Sequence, residues 1–93
     1  MSTKIEDWKT VWITGASTGI GRALAEHMAE PGRTIAVSAR SRDKLAALED
    51  EVTGAVAYPM DVCDADVVRR SVEDIESKHG PIDLAVLNAG TWS

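Results

Sequence analysis

Cysteine occurs once in the 93 residues, at Cys63. A single thiol closes no internal disulfide, so a disulfide-stapled scaffold is excluded and a reducing, cytoplasmic setting is the expectation. Long apolar runs are also missing, which excludes a segment able to span a bilayer as a helix. The opening MSTKIEDWKT has no apolar stretch of the kind a secretory signal carries. Positive charge is in deficit: ten Lys and Arg stand against fifteen Asp and Glu, for a net charge of −5. That balance argues against a nucleic-acid footprint. Aromatic residues are few, namely Trp8, Trp12, Tyr58 and Trp92. Internal repeats and low-complexity tracts are absent. With 44% hydrophobic and 27% charged residues, the composition is that of an ordered globular protein. The length allows one domain or less, and a chain this short buries only roughly 60–65% of its unfolded surface.

Short apolar runs alternate with longer segments of helical period. After a polar lead-in over residues 1–9, Val11–Thr14 reads as a buried strand. Gly19–Glu30 reads as a helix with Ile20, Ala23, Leu24 and Met28 on one face, stopped by Pro31–Gly32. Thr34–Ala39 is a second strand, rich in β-branched residues. Arg42–Val52 is a second helix, capped by Ser41, with Leu45 and Leu48 inward. Ala55–Met60 is a third strand. Asp64 caps a third helix, Ala65–His79, with Val68, Val72 and Ile75 inward, and Gly80–Pro81 ends it. Leu84–Leu87 is a fourth strand that leads into Asn88-Ala89-Gly90. The pattern β-α-β-α-β-α-β, with strands lacking polar alternation, predicts an α/β fold with a doubly wound parallel sheet. Right-handed crossovers give the expected strand order 3-2-1-4. The first two helices are expected on one face and the third on the other. Only that third helix is then at hand for the second face, so part of this face and the apolar fourth strand are expected to lie uncovered.

The stretch Thr14-Gly15-Ala16-Ser17-Thr18-Gly19-Ile20-Gly21 lies between the first strand and the first helix. Glycine lets a backbone turn sharply and approach a ligand with no Cβ in the way. The helix start adds unpaired N–H groups and the positive end of a dipole. Together these suit a pyrophosphate, and the strand–helix context is the one that gives such a motif its meaning. A triphosphate-binding loop is excluded, because no Gly-Lys-Ser/Thr closes the turn.

The end of the second strand bears on the type of cofactor. A carboxylate there would hydrogen-bond a ribose hydroxyl, as NAD-binding domains do. This chain instead reads Val37-Ser38-Ala39-Arg40. A carboxylate would repel a 2′-phosphate, whereas arginine grips one bidentately. The expected cofactor is therefore NADP(H) rather than NAD(H), with Arg40 as the selecting cation. Ser17 adds a hydroxyl donor, and Arg42 is a weaker candidate.

The chain resembles the short-chain dehydrogenase/reductase family. The residues that carry the resemblance are Thr14-Gly15-x-x-x-Gly19-Ile20-Gly21, Asp61-Val62 after the third strand, and Asn88-Ala89-Gly90 after the fourth. They occur in the family's order and approximate spacing, across nearly the whole chain. The resemblance implies a Rossmann-like fold. It implies that Gly15, Ser17, Thr18, Gly19, Ile20 and Gly21 hold the pyrophosphate, and that Ala39-Arg40 match an NADP-preferring pattern. It further implies that Asp61 and Val62 flank the adenine, and that Asn88, Ala89 and Gly90 lie beside the ribose. Where the family often has a second Asn before that asparagine, this chain has Leu87.

The family's catalytic Ser and Tyr-x-x-x-Lys pair has no counterpart, and family members run well over twice this length. Tyr58 is the one tyrosine, and Pro59, Met60, Asp61 and Val62 follow it with no lysine. No catalytic residue is therefore assigned. No Cys/His cluster has metal spacing, and the acidic stretches Glu49-Asp50-Glu51 and Asp61, Asp64, Asp66 read as solvated surface or caps, so no metal site is assigned. Two function classes remain open. One is the N-terminal, cofactor-binding portion (residues 10–93) of an NADP-dependent oxidoreductase, which moves hydride between the nicotinamide and an alcohol or carbonyl in the complete enzyme. The other is a non-catalytic nucleotide-binding or protein-interaction module ending at Ser93. Either way, the expected partners are a dinucleotide and either a second copy or a missing C-terminal half, with neither nucleic acid nor membrane.

Overall fold

Apolar, β-branched runs flanked by turn residues become strands, and the longer segments between them become helices. The computed structural model describes residues 8–16 and 19–87. In chain order the elements are β1 (Thr10–Thr14), α1 (Gly19–Met28), β2 (Thr34–Ser38), α2 (Arg42–Glu51), β3 (Ala55–Ala57), α3 (Ala65–His79) and β4 (Leu84–Leu87). The strands form one parallel sheet ordered β3-β2-β1-β4. This is the doubly wound order expected from the alternation of elements. Thr10–Thr14 pairs with Thr34–Ser38 on one side, and Val11–Thr14 with Leu84–Leu87 on the other.

Alternation along the central strands divides the core in two. Val11 and Ile13 of β1, with Ile35 and Val37 of β2, point toward α1 and α2, where Ala25, Met28, Leu45 and Leu48 cover them. Trp12 and Ala36 point the other way, onto Met60 and onto Ile75, Val67, Val68 and Val72 of α3. The first two crossovers thus cover one face and the third covers the other, as expected. On that second face the cover stops short of β4: Ala85 is exposed and Leu87 is 74% exposed.

Both predicted caps form. Ser41 Oγ accepts from the Lys44 amide, and the Asp64 carboxylate accepts from the Val67 amide. Four elements end earlier than the periodicity implies. Helix α1 stops at Met28 rather than Glu30, because Glu30 precedes Pro31 and is pushed out of helical geometry. The Arg33 amide then bonds the Glu30 carbonyl to close a turn, and Arg33 Nη1 takes the Met28 carbonyl at 2.7 Å. Helix α2 ends at Glu51, with Val52 extended as its C-cap. Strand β3 covers only Ala55–Ala57, although the amides of Tyr58 and Met60 still bond the carbonyls of Val37 and Ala39. Strand β2 ends at Ser38, one residue before Ala39.

The face of α1 also differs from the expectation. Ile20 is 78% exposed and Ala23 is exposed; the inward residues are Gly21, Ala25 and Met28, with Leu24 half-buried. The helix lies so close to the turn that follows β1 that its contact side begins with a residue lacking a side chain.

Candidate functional site

The ends of β1, β2 and β3 converge at the carboxyl edge of the sheet, where open α/β sheets bind their ligands. The glycine turn starts there. Gly15 and Gly19 have φ of 62° and 60°, a region that side chains disfavour. Around Gly19 the place of a Cβ is open space, so a ligand can approach the backbone. Gly21 is required for a different reason. A Cβ there would overlap the Gly15 carbonyl oxygen and lie 2.9 Å from Ala16 Cα. Helix α1 thereby aims its first turn into the loop, and that turn carries no acidic residue to offset the positive dipole end.

The end of β2 anchors this loop. The carbonyl oxygen of Ser38, a fully buried residue, accepts from the Ala16 amide at 3.1 Å. Its Oγ accepts from the Trp12 indole Nε1 at 2.9 Å. One residue on, the Ala39 carbonyl accepts from the Met60 amide at 3.0 Å. Arg40 follows, exposed, and no hydrogen bond or ion pair holds its guanidinium among the described residues.

Asp61 and Val62 begin the segment between β3 and α3. Asp61 Oδ1 accepts from the Cys63 amide at 2.9 Å, and the Asp61 carbonyl accepts from the Asp64 amide. This tight turn turns Val62 outward, 52% exposed. Among the described residues the large hydrophobic side chains left exposed are Ile20, Val62 and Leu87. Each follows or ends a strand at the carboxyl edge. Apolar side chains thus stand at the same edge as the polar backbone of the glycine turn. Of the predicted site residues, Gly15, Gly19, Ile20, Gly21, Arg40, Asp61 and Val62 lie on this edge. Ser17, Thr18, Asn88, Ala89 and Gly90 lie outside the described residues.

Tyr58 sits just beyond β3, packed with the α3-side core, and donates its hydroxyl to Asp74 Oδ2 at 2.8 Å. Burial, and then the carboxylate it bonds, push the phenol up to about 12. The same bond, helped by Lys78, holds the Asp74 carboxyl below its ordinary value. A phenol so held is a poor proton donor near neutral pH. A shallow groove of about 300 Å³ lies beside it, lined by Tyr58, Val67, Arg70, Ser71 and Asp74. Cys63 is exposed. Among the described residues no cluster of His, Cys, Asp or Glu has the grouping to hold a metal ion. Nor is any helix among them long and apolar enough to cross a membrane.

The bond between Trp12 and Ser38 is not legible in the sequence. Both read as members of buried strands, and the contact is diagonal across two strands, so it becomes visible only with the register. Arg33 was also missed. It is buried, bonds the carbonyls of Trp8 and Met28 and pairs with Glu30, and so ties the start of the sheet to the end of α1.

Comparison with known proteins agrees with this geometry. The short chain dehydrogenase family matches residues 9–93. The NADPH-dependent pterin aldehyde reductase of Arabidopsis thaliana is 41% identical over 86 residues, covering 89% of this chain and 36% of that protein. The 3-oxoacyl-acyl-carrier-protein reductase FabG of Staphylococcus aureus is 38% identical over 87 residues, covering 88% of this chain and 35% of the reductase. The crystal structure of a metagenomic short-chain oxidoreductase in complex with NADP superimposes with a TM-score of 0.83 at 31% identity, over 89% of this chain and 39% of that one. The chain therefore spans about a third of the length of the curated relatives it matches. On the match over residues 9–93 and the sheet order it shares with these proteins, the chain belongs to the short-chain dehydrogenase family.

Proposed function

We propose that residues 10–93 are the N-terminal, cofactor-binding part of an NADP-dependent oxidoreductase acting on an alcohol or carbonyl substrate in the cytoplasm. The observation that carries this reading is the glycine turn. Gly21 has no room for a Cβ, Gly15 and Gly19 hold positive φ, and the space beside Gly19 is open. That is a cradle for a pyrophosphate at a helix start. In this reading Gly15, Ser17, Thr18, Gly19, Ile20 and Gly21 hold the pyrophosphate, with Ser17 and Thr18 adding hydroxyl donors, while the Ala16 amide stays with the Ser38 carbonyl. Asp61 and Val62 flank the adenine, and Asn88, Ala89 and Gly90 border the ribose. Ile20 offers an apolar contact at the turn. When bound, the nicotinamide supplies hydride transfer.

Selection between the two nicotinamide cofactors falls to Arg40. It stands two residues past the buried end of β2 with its donors unpaired among the described residues. A 2′-phosphate would take two of them, and no acidic side chain precedes Arg40 to repel it. The test is calorimetric titration of the chain with NADPH and NADH. NADPH is expected to bind more tightly, and Arg40→Ala is expected to weaken NADPH by about tenfold while leaving NADH unchanged, the loss of one charge-assisted bidentate contact. Tighter binding of NADH by the wild type would overturn the preference.

The proton for carbonyl reduction does not come from Tyr58, whose hydroxyl is committed to Asp74. In this proposal the proton donor comes from sequence outside these 93 residues. A second reading is a nucleotide-binding or interaction module without turnover. Adding the C-terminal half of a related reductase in trans separates the two. Turnover with a carbonyl substrate supports the enzyme; cofactor binding without turnover in any assembly supports the module.

A further inference from the structure

The end of β2 bonds three segments at once. The Ser38 carbonyl holds the Ala16 amide, at the start of the glycine turn. The Ala39 carbonyl holds the Met60 amide, immediately before Asp61 and Val62. Arg40 comes next in the chain. The residues placed around phosphate, adenine and 2′-phosphate therefore all hang from two consecutive residues, Ser38 and Ala39. The Trp12 indole bonds the side chain of the first of them. Its Nε1–H reaches diagonally from β1 to Ser38 Oγ at 2.9 Å, in a part of the sheet closed to water. Trp12 and Met60 also belong to the same buried core on the α3 side, so the indole and both ends of the span share one packed layer. A buried hydrogen bond of this kind has one geometry and no competing water.

We propose that Trp12 and Ser38 form a positioning pair that keeps the glycine turn, Arg40 and the Asp61-Val62 turn at the mutual spacing a bound dinucleotide requires. This rests on the dinucleotide reading of the site given above. Neither side chain touches the cofactor in this proposal. Each acts through the carbonyl groups of Ser38 and Ala39. The pair supports NADPH and NADH alike, because the spacing serves the part the two cofactors share. This separates it from Arg40, whose loss is felt by NADPH alone.

The experiment uses the 93-residue chain and two variants. Trp12→Phe keeps an aromatic ring and removes the N–H. Ser38→Ala keeps the strand and removes the acceptor, and it serves if the tryptophan variant fails to fold. Nuclear magnetic resonance of the cofactor-free protein reads the geometry. In Ser38→Ala the Trp12 indole N–H signal is expected to shift and to exchange faster with solvent. The amides of Ala16 and Met60 are expected to lose protection in both variants, while the Leu48 amide inside α2 keeps its own. Titration then reads the consequence. Each variant is expected to bind NADPH and NADH about fivefold more weakly, the worth of one net hydrogen bond, and the double variant no more weakly than either single one.

Unchanged protection at Ala16 and Met60 would overturn the proposal. So would a lower melting temperature with unchanged affinity of the folded protein, which would make the pair a stabilising contact only. A wild-type chain that binds neither nucleotide overturns the dinucleotide reading and the pair's role in it together. Normal binding by the wild type with unchanged binding by both variants overturns the positioning role alone.

Discussion

At Gly21 a single methyl group decides whether α1 can pack where it does. The added carbon of Gly21→Ala would occupy the position of the Gly15 carbonyl oxygen, and both neighbours are backbone that cannot swing aside. The helix must move off the turn, at a cost of about 2 kcal/mol or more. Chemical denaturation is expected to show that loss, whereas Ile20→Ala, at an exposed position beside it, should leave stability within about 0.5 kcal/mol. The same residues show what a sequence can and cannot tell. The glycines were legible because only glycine meets a positive φ or a vanishing gap. The inward face of α1 was not, because a period marks where apolar side chains lie, and here the contact is made by the absence of one. The partner of Tyr58 was not legible either, since Asp74 lies 16 residues along the chain on another element. That pair gives a pH signature. Asp74 has its carboxyl lowered from 3.8, so its contribution is present above pH 4 and is lost as pH falls through the lowered value. Tyr58 is raised from 10.0 to about 12, so its contribution is present below pH 10 and is lost as pH rises through about 12. Tyr58→Phe is expected to lower the melting temperature at pH 7 by about 4 °C or less, and the difference from wild type should shrink at both pH extremes. A difference constant from pH 3 to pH 11 would rule out the pair as its source.

Strand β3 is an outer strand of the sheet, and an outer strand invites pairing with a foreign one. Its inward groups are taken by β2. Its outward amides are also taken: Ala55 donates to the Val52 carbonyl, and Ala57 donates to the Glu49 carboxylate at 2.7 Å. Helix α2 thus lends a side chain to close the edge of the strand that follows it. A strand arriving from solvent finds carbonyls there but no free amide donor. Glu49→Ala should expose the Ala57 amide, raise its hydrogen exchange by about tenfold and allow association through this edge. Glu49→Gln, whose amide oxygen still accepts, should restore protection. Equal exchange in all three proteins would show that the carboxylate does not guard the edge. Glu49 read in the sequence as one of three solvated acidic residues, and such a role is invisible there because it depends on α2 packing back on β3. Element types and order were legible throughout, since buried parallel strands and amphipathic helices carry different periods. Their ends were less so. The ladder beside β2 runs on to Met60 by hydrogen bonds after the strand geometry has ended, and Pro31 ends α1 through its effect on Glu30, two residues after the last helical one.

Across the whole molecule the two faces of the sheet are unequally covered. On the side of α1 and α2, Leu84 and Val86 of β4 join the main core. On the side of α3 the core holds Trp12 of β1, Ala36 of β2 and Met60 beyond β3, whereas Ala85 and Leu87 of β4 are exposed. Leu87 is 74% exposed at the end of the other outer strand. Helix α3 has its apolar residues turned to Trp12, Ala36 and Met60, and its outer side carries the ion pairs Arg69–Glu73 and Lys78–Asp74, so it cannot also reach β4. An apolar strip on an outer strand, next to a sheet face with no layer on it, loses free energy when water reaches it and gains it when a second surface closes over it. The edge at β3 is closed by Glu49, so self-association should run through β4. Sedimentation velocity of the chain at tens of micromolar is expected to show dimers or larger species. Leu87→Lys, which puts a charge on the strip without touching the core, should shift the distribution toward monomer. Glu49→Ala should shift it the other way. A monodisperse monomer for the unaltered chain at that concentration would show that the exposed strip is too small to drive association. If the lysine variant associates as strongly as wild type, the contact lies elsewhere on the surface than β4.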